Sequence, residues 1–142
     1  MRSRALIALG AVAAMVAGCK EAPKAERAHY EPAEVAAIKG DDEHKIVKLS
    51  PEGARRIDLH TQTVARRGGR LVVPYASLLY LKHGEAFVYT NPKPLTFVWA
   101  PVEVDHITGG EVLLKKGPPA GTRVVTTGAA QVHGAELEFG EY

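Results

Sequence analysis

The feature that most constrains the fold is the stretch from Val72 to Val104, in which four prolines interrupt strand-forming Val, Tyr, Phe and Leu residues. These are Pro74, Pro92, Pro94 and Pro101. Proline has a fixed φ angle and no backbone N–H, so in a sheet it is confined to edge strands, strand ends and bulges. The stretch therefore predicts several short strands joined by rigid turns, and it contains no obvious catalytic residue.

One long strand is predicted from Leu95 to Ile107. Val102 and Val104 alternate with acidic residues there, which is typical of a strand with one buried face. Phe97 is an odd number of residues from Val102 and Val104, so in a regular strand its side chain would point to the opposite face. Pro101 lies between these two patterns. We therefore expect a bulge or an edge position at Pro101.

The other elements are short. Ser50 and Pro51 predict the start of a brief helix that extends to Ile57, with serine as the N-cap. Gly109 and Gly110 predict a tight hairpin turn. The remaining strand candidates are Ile46–Leu49, Leu59–Ala65, Leu71–Val73, Ala86–Thr90, Val112–Leu114, Arg123–Thr127 and Leu137–Phe139. The prediction is a mainly β module of about seven short strands with one short helix, like a small barrel or sandwich.

The last predicted strand carries an expectation about two acidic residues. Glu136 and Glu138 alternate with Leu137 and Phe139, so both carboxylates would share one face of that strand. We expect that face to be solvated.

The N-terminus has the pattern of an export signal. Two arginines precede the apolar run Ala5–Val16, whose 12 residues are too few for a helix across a bilayer core, which needs about 20. The run ends in Val-Ala-Gly-Cys at Cys19, the only cysteine of the chain. This resembles the lipobox of bacterial lipoproteins, which implies that Cys19 is lipidated and becomes the first mature residue. The alternative is an ordinary signal peptide that contains a cysteine.

These patterns divide the chain into three parts. Residues 1–18 are the predicted lipoprotein signal peptide, residues 19–44 a flexible tether poor in large apolar side chains, and residues 45–142 the β domain. Within the tether, Glu34–Lys39 has the composition for a turn or two of helix. Removal of Arg2 and Arg4 leaves 16 basic and 16 acidic side chains, so the charge gives no support to nucleic-acid binding.

Catalysis finds little support in the residue types. The mature chain would contain two serines, Ser50 and Ser77, and its cysteine would be lipidated. Ser50 is explained as a helix cap, and Ser77 lacks the Gly-x-Ser-x-Gly pattern of a nucleophile elbow. We therefore expect no enzymatic activity and no cofactor.

Metal binding is the alternative function that the residues leave open. The six histidines fit no ligand motif in their spacing; they are His29, His44, His60, His83, His106 and His133. The one dense cluster, Asp41–His44, lies in the predicted tether, where a solvated run of charges is expected. Five aromatic residues are interpreted either as core or as a platform for a partner or a sugar: Tyr75, Tyr80, Tyr89, Phe97 and Trp99.

Three segments, VVPYASLLYLKHGEAFVYTN, FVWAPVEV and GPPAGTRVVTTGA, resemble the C-terminal region of periplasmic adaptor proteins. These are the membrane fusion proteins of resistance–nodulation–division and related efflux systems. The matching features, in order, are Val73-Pro74, Gly84, Val88–Thr90, Val102–Val104, and Gly117–Gly121 followed by Val124–Gly128. The segment IVKLSPEGARRIDLHTQTV also resembles the beginning of the family's β-barrel domain.

The resemblance implies a part of an adaptor. The chain passes from Arg66–Arg70 directly to Val72, which leaves no room for the family's lipoyl-like domain or its helical hairpin. In the family those parts reach the outer-membrane channel, whereas the barrel and membrane-proximal parts contact the pump. The expected protein is a membrane-anchored lipoprotein of the cell envelope, facing the periplasm or extracytoplasmic space. Its expected partner is an inner-membrane efflux transporter or a longer adaptor.

Overall fold

The computed structural model describes residues 31–140, apart from the side chains of Asp42 and Glu43. The described residues form β1 (Ala33–Ile38), β2 (Asp41–Leu49), α1 (Pro51–Arg56), β3 (His60–Thr63), β4 (Ala65–Arg67), β5 (Arg70–Pro74), a 3-10 turn (Tyr75–Ser77), β6 (Leu79–Tyr80), β7 (Ala86–Lys93), β8 (Thr96–Thr108), β9 (Glu111–Lys116), β10 (Arg123–Thr127) and α2 (Ala129–Phe139). The predicted mainly β, barrel-like module is confirmed.

The main sheet curls upon itself. Its antiparallel order is β3-β10-β7-β8-β9-β5-β4, with the β1–β2 hairpin added beside the first residues of β8 and β6 beside β7. Only Val64 separates β3 from β4 along the chain. Its N–H donates to the carbonyl of Thr122 at 2.8 Å, and its own carbonyl accepts from the N–H of Gly121 at 2.8 Å. The two ends of the order are therefore consecutive pieces of chain, which gives the sheet its barrel-like form.

Two hydrophobic cores lie on opposite faces of β7 and β10. Phe87 and Tyr89 face the first core, whereas Val88 faces the second, because successive side chains of a strand point to opposite faces. In β10, Val125 faces the first core and Val124 faces the second. The first core is completed by β1, β2 and α2, and the second by β5, β8 and β9.

The long strand β8 serves both cores. Phe97 is buried in the first and Val102 in the second, in agreement with the change of parity seen in the sequence. The register against β9 shifts between Glu103 and His106, so the bulge lies a few residues beyond Pro101. Pro101 itself is opposite Phe87 and falls between the segments of β8 that align with β2 and with β9.

The helix cap and the hairpin turn are confirmed. Ser50 Oγ accepts a hydrogen bond from the N–H of Gly53 at 3.0 Å, and Pro51 occupies the first turn of α1. Gly109 and Gly110 have φ angles of 54° and 80° between the paired residues Thr108 and Glu111. A two-residue turn with both φ angles positive matches the twist of a hairpin.

The prediction of a tether is wrong for residues 33–44, which form β1 and the first part of β2. The helical turn expected at Glu34–Lys39 is wrong for the same reason. Val35 pairs with Val47 of β2, and α2 covers the hairpin, so burial by distant residues stabilises a segment with little apolar surface of its own. Residues 1–30, including Cys19 and His29, lie outside the described part of the chain.

The prediction of a last strand at Leu137–Phe139 is also wrong, because these residues end α2. Glu136 is buried, with 3% of its surface exposed, whereas Leu137 is 54% exposed. The buried residues Ala129, Val132 and Glu136 follow helical spacing, which a three-residue alternation cannot reveal. No helix within residues 31–140 is long and apolar enough to cross a membrane.

Candidate functional site

A cleft of about 340 Å³ lies between α2, β2, β8 and the turn that follows β6. Its lining residues are His44, Tyr80, Leu81, Lys82, His83, Trp99, His133, Glu136 and Leu137. We refer to it as the histidine cleft. Tyr80 and Leu137 are two of the five large hydrophobic side chains that are exposed among the described residues.

Glu136 fixes α2 at the back of the histidine cleft. Its Oε1 accepts a hydrogen bond from the backbone N–H of Lys45 in β2 at 2.9 Å. Its Oε2 accepts a short hydrogen bond from the hydroxyl of Tyr89 in β7. Charge-assisted hydrogen bonds of this kind are stronger than neutral ones. A buried carboxylate thus connects the helix with two strands.

His133 lies one helical turn before Glu136 and shares its face of α2. Its Nδ1 is 3.0 Å from the hydroxyl of Tyr89 and 3.8 Å from Oε2 of Glu136. Phe87 contacts the edge of the imidazole ring, with 5.3 Å between ring centroids. These contacts hold the imidazole in one orientation at the wall of the cleft.

His44 and Trp99 form a stacked pair that also lines the cleft. Their ring centroids are 3.7 Å apart and their planes differ by 20°. Asp41 holds the histidine, because its carboxylate oxygens lie 3.0 and 3.2 Å from Nδ1 and one of them accepts from the backbone N–H of His44. Behind the tryptophan, Phe87 stacks at 5.6 Å. The cleft therefore has an ordered aromatic surface.

The indole nitrogen of Trp99 is the buried side-chain polar atom that finds no hydrogen-bond partner within the described residues. A buried donor without an acceptor costs about 1–3 kcal/mol.

The histidine cleft combines titratable and aromatic side chains. Its lining contains imidazole, carboxylate, aromatic and aliphatic groups, and its nine residues include no serine, threonine or cysteine. Within residues 31–140 no group of three or more His, Cys, Asp or Glu side chains is arranged to hold a metal ion. The three histidines are thus near one another without forming a coordination shell.

The two serines have structural roles. Ser50 caps α1, as expected. Ser77 is fully buried, and its hydroxyl donates to the carbonyl of Pro74 at 2.8 Å. Cys19, the predicted lipidation site, lies outside the described residues.

The histidines divide into two groups. His44, His83 and His133 line the cleft, whereas the ring of His60 contacts the carbonyl of Asp58 at 2.7 Å. His106 is exposed beside Asp105. The cluster that begins at Asp41 belongs to β2, so its assignment to a tether is wrong.

The five aromatic candidates divide as well. Tyr89 and Phe97 are core residues, whereas Tyr80 and Trp99 line the histidine cleft. Tyr75 is 52% exposed and lies outside the cleft. The interpretation as core residues is therefore confirmed for Tyr89 and Phe97, whereas a platform for a partner or a sugar stays a prediction.

The sequence patterns did not predict that Glu136 and His133 line a common cleft. Their spacing of three residues would have placed them on one face of a helix. The alternation at the end of the chain predicted a strand instead, and that choice put Glu136 in solvent.

No protein-family model matches the chain, and no curated protein is significantly similar to it.

Proposed function

We propose that this chain is a lipid-anchored binding protein of the cell envelope that acts in transmembrane transport. It would correspond to the barrel and membrane-proximal part of an efflux adaptor and bind an inner-membrane transporter or a longer adaptor. Its activity would be binding, without catalysis. The observation that carries the proposal is the histidine cleft, an aromatic recess on a rigid barrel-like frame.

The positions of the resembling motifs support a common architecture. Val73-Pro74 ends β5, Val88–Thr90 lies within β7, and Val102–Val104 lies within β8. Gly84 has a φ angle of 86° in the turn before β7, a conformation that side chains rarely adopt. The motifs thus coincide with strands and turns that build the frame.

The cleft has the features of a binding hot spot. Hot spots are enriched in aromatic residues and lie in pockets from which water is excluded. Tyr80 and Leu137 offer exposed apolar surface at its rim, and the stacked pair of His44 and Trp99 forms a firm wall. An apolar side chain of a partner would fill the recess against the stacked rings of His44 and Trp99.

The test is a crosslinking pull-down from native membranes with the intact lipidated chain and a C-terminal tag. Tyr80→Ala is compared with Tyr75→Ala, because the two tyrosines are 53% and 52% exposed and only Tyr80 lines the cleft. We expect the wild type and Y75A to recover a transporter or longer adaptor, and Y80A to recover at least tenfold less. Recovery of neither partner by a folded, abundant protein would contradict the proposal.

A second candidate, a metal-binding envelope lipoprotein, is favoured by the presence of three histidines in one cleft. It would need a movement of His83 or His44, because no metal-binding group is formed within residues 31–140. Titration with zinc or copper separates the two functions. Stoichiometric sub-micromolar binding that His133→Ala abolishes would favour the metal-binding function.

A further inference from the structure

A second pocket, of about 360 Å³, lies at the opposite end of β2 from His44. It is lined by Leu59, Thr61, Asn91, Pro92, Lys93, Pro94, Leu95, Phe97 and Arg123. We refer to it as the Arg123 pocket. Its lining contains two cations and no carboxylate, and neither cation forms a salt bridge with any described residue. The lining of the pocket therefore combines two cationic side chains with apolar ones.

Arg123 is oriented before any ligand arrives. Its Nε and Nη2 both donate to Oγ1 of Thr61, at 3.3 and 2.8 Å. A guanidinium has five N–H donors, so several remain for a bound anion. An arginine that is already fixed loses less side-chain entropy on binding than a free one.

Lys93 sits on a turn that is fixed in the same way. The side-chain amide of Asn91 donates to the carbonyls of Lys93 and Thr96, at 2.6 and 3.0 Å. The carbonyl of Leu95 accepts from the N–H of Leu49 at 2.9 Å, which ties the turn to β2. The turn thus gives a stable support to Lys93, which lines the same pocket as Arg123.

We propose that the Arg123 pocket binds the phosphate of an anionic phospholipid headgroup. A guanidinium can bind phosphate through two parallel hydrogen bonds, and a lysine ammonium binds it as a point charge. The apolar lining of Leu59, Leu95 and Phe97 suits the glycerol and the adjoining carbons of such a lipid. A free inorganic phosphate would make no use of that apolar surface.

The path of the chain brings this pocket near a bilayer, an argument that rests on the lipid anchor proposed above. Leu95 lines the Arg123 pocket and also a neighbouring recess that contains Glu31, the first described residue. Cys19 precedes Glu31 by 12 residues. That length reaches about 40 Å when extended and about 20 Å as a flexible coil. An anchor at Cys19 therefore holds the pocket within reach of headgroups.

The experiment uses the predicted mature chain, residues 19–142, with Cys19→Ser, so that neither an acyl chain nor the apolar run Ala5–Val16 contributes to binding. Cosedimentation is measured with vesicles of phosphatidylcholine alone and with vesicles that also contain phosphatidylglycerol. We expect binding to the anionic vesicles to fall about fivefold in Lys93→Gln and about 30-fold in the double variant R123Q/K93Q. The matched control R66Q/K115Q removes the same charge from exposed residues of β4 and β9, and it should bind within about twofold of the parent.

Equal losses in R123Q/K93Q and in R66Q/K115Q would overturn the proposal, because general attraction to the surface would then account for binding. Titration with soluble glycerol phosphate distinguishes the source of the phosphate. Binding of that compound without a preference for anionic vesicles would also overturn the assignment to lipid. No transporter is present in this assay, so its outcome is independent of the pull-down proposed for the histidine cleft.

Discussion

At the scale of single residues, Glu136 connects α2 with two strands of the sheet. Its carboxylate satisfies the N–H of Lys45 and the hydroxyl of Tyr89, two groups that contribute to the back of the histidine cleft. Removal of the carboxylate would leave both donors without this partner inside the protein.

We expect Glu136→Ala to lower the free energy of unfolding by about 3 kcal/mol, because each buried group left without its partner costs about 1–3 kcal/mol. Glu138→Ala is the control, since Glu138 is an exposed residue of the same helix and the change in helix propensity is the same. Urea unfolding followed by circular dichroism measures both. A loss in E136A no larger than that in E138A would contradict the role given to the buried carboxylate.

A second residue-scale prediction concerns Glu111. Hydrogen bonds from the Arg67 guanidinium, helped by its charge, hold the pKa of this carboxyl below its ordinary value of 4.5. A lowered folded-state pKa means that the pair stabilises the protein above the pKa of the unfolded chain, and that this stabilisation is lost as pH falls through the folded-state value. Both side chains are exposed, so the contribution is small.

We expect Arg67→Gln to raise the pKa of Glu111 towards 4.5 in an NMR titration. Glu103 serves as the internal control, because its own lowered pKa depends on Lys116 and should not change. A Glu111 pKa that is the same in the wild type and in R67Q would show that Arg67 does not interact with it in solution.

At the scale of elements, the start and the middle of α2 each contain a glycine, and only the first of the two positions needs one. Gly128 precedes the helix with a φ angle of 88°, and a Cβ there would lie 3.1 Å from Cδ1 of Ile57. Gly134 lies within the helix, and a Cβ there would meet nothing within 4 Å. The first glycine is needed for the turn into α2, whereas the second only weakens the helix.

We therefore expect Gly128→Ala to destabilise the protein by about 1–2 kcal/mol, through the left-handed backbone and the contact with Ile57. Gly134→Ala should stabilise it by about 1 kcal/mol, the difference in helix propensity between the two residues. Thermal unfolding of the two variants gives shifts of opposite sign. A shift of the same sign in both would mean that α2 does not begin and continue as described.

The sequence was most informative where a local rule decides the element. The cap at Ser50, the turn at Gly109 and the change of parity in β8 each depend on residues close together in the chain. It was least informative where distant burial decides. The segment 33–44 becomes a hairpin because α2 covers it, and Leu137–Phe139 stays helical because Glu136 finds donors on β2 and β7.

At the scale of the whole molecule, β2 separates the two binding features. His44 is near its start, and Leu49, which bonds to the turn of the Arg123 pocket, is its last residue. Five residues of strand span about 17 Å. A headgroup held at the Arg123 pocket would therefore lie on the order of 17 Å from His44 of the histidine cleft.

A fixed distance between the two sites requires that the domain behaves as one rigid body. The two cores are joined in this way because they share strands. β7 and β10 contribute alternate side chains to the two cores, so neither core can lose its packing without disturbing the strands of the other. This predicts a single cooperative unfolding transition for the described residues.

The adjacent residues Val124 and Val125 test this directly, because they face the second and the first core and are both fully buried. Val→Ala at either position should cost about 2–3 kcal/mol, from lost apolar burial and the cavity left behind. Trp99, the only tryptophan, reports on the first core by its fluorescence, whereas far-ultraviolet circular dichroism reports on the whole fold. We expect V124A to lower the denaturant midpoint equally by both measurements, although its cavity lies in the other core. A fluorescence midpoint unchanged in V124A, with a lowered dichroism midpoint, would mean that the cores unfold separately and that binding at one end is not transmitted rigidly to the other.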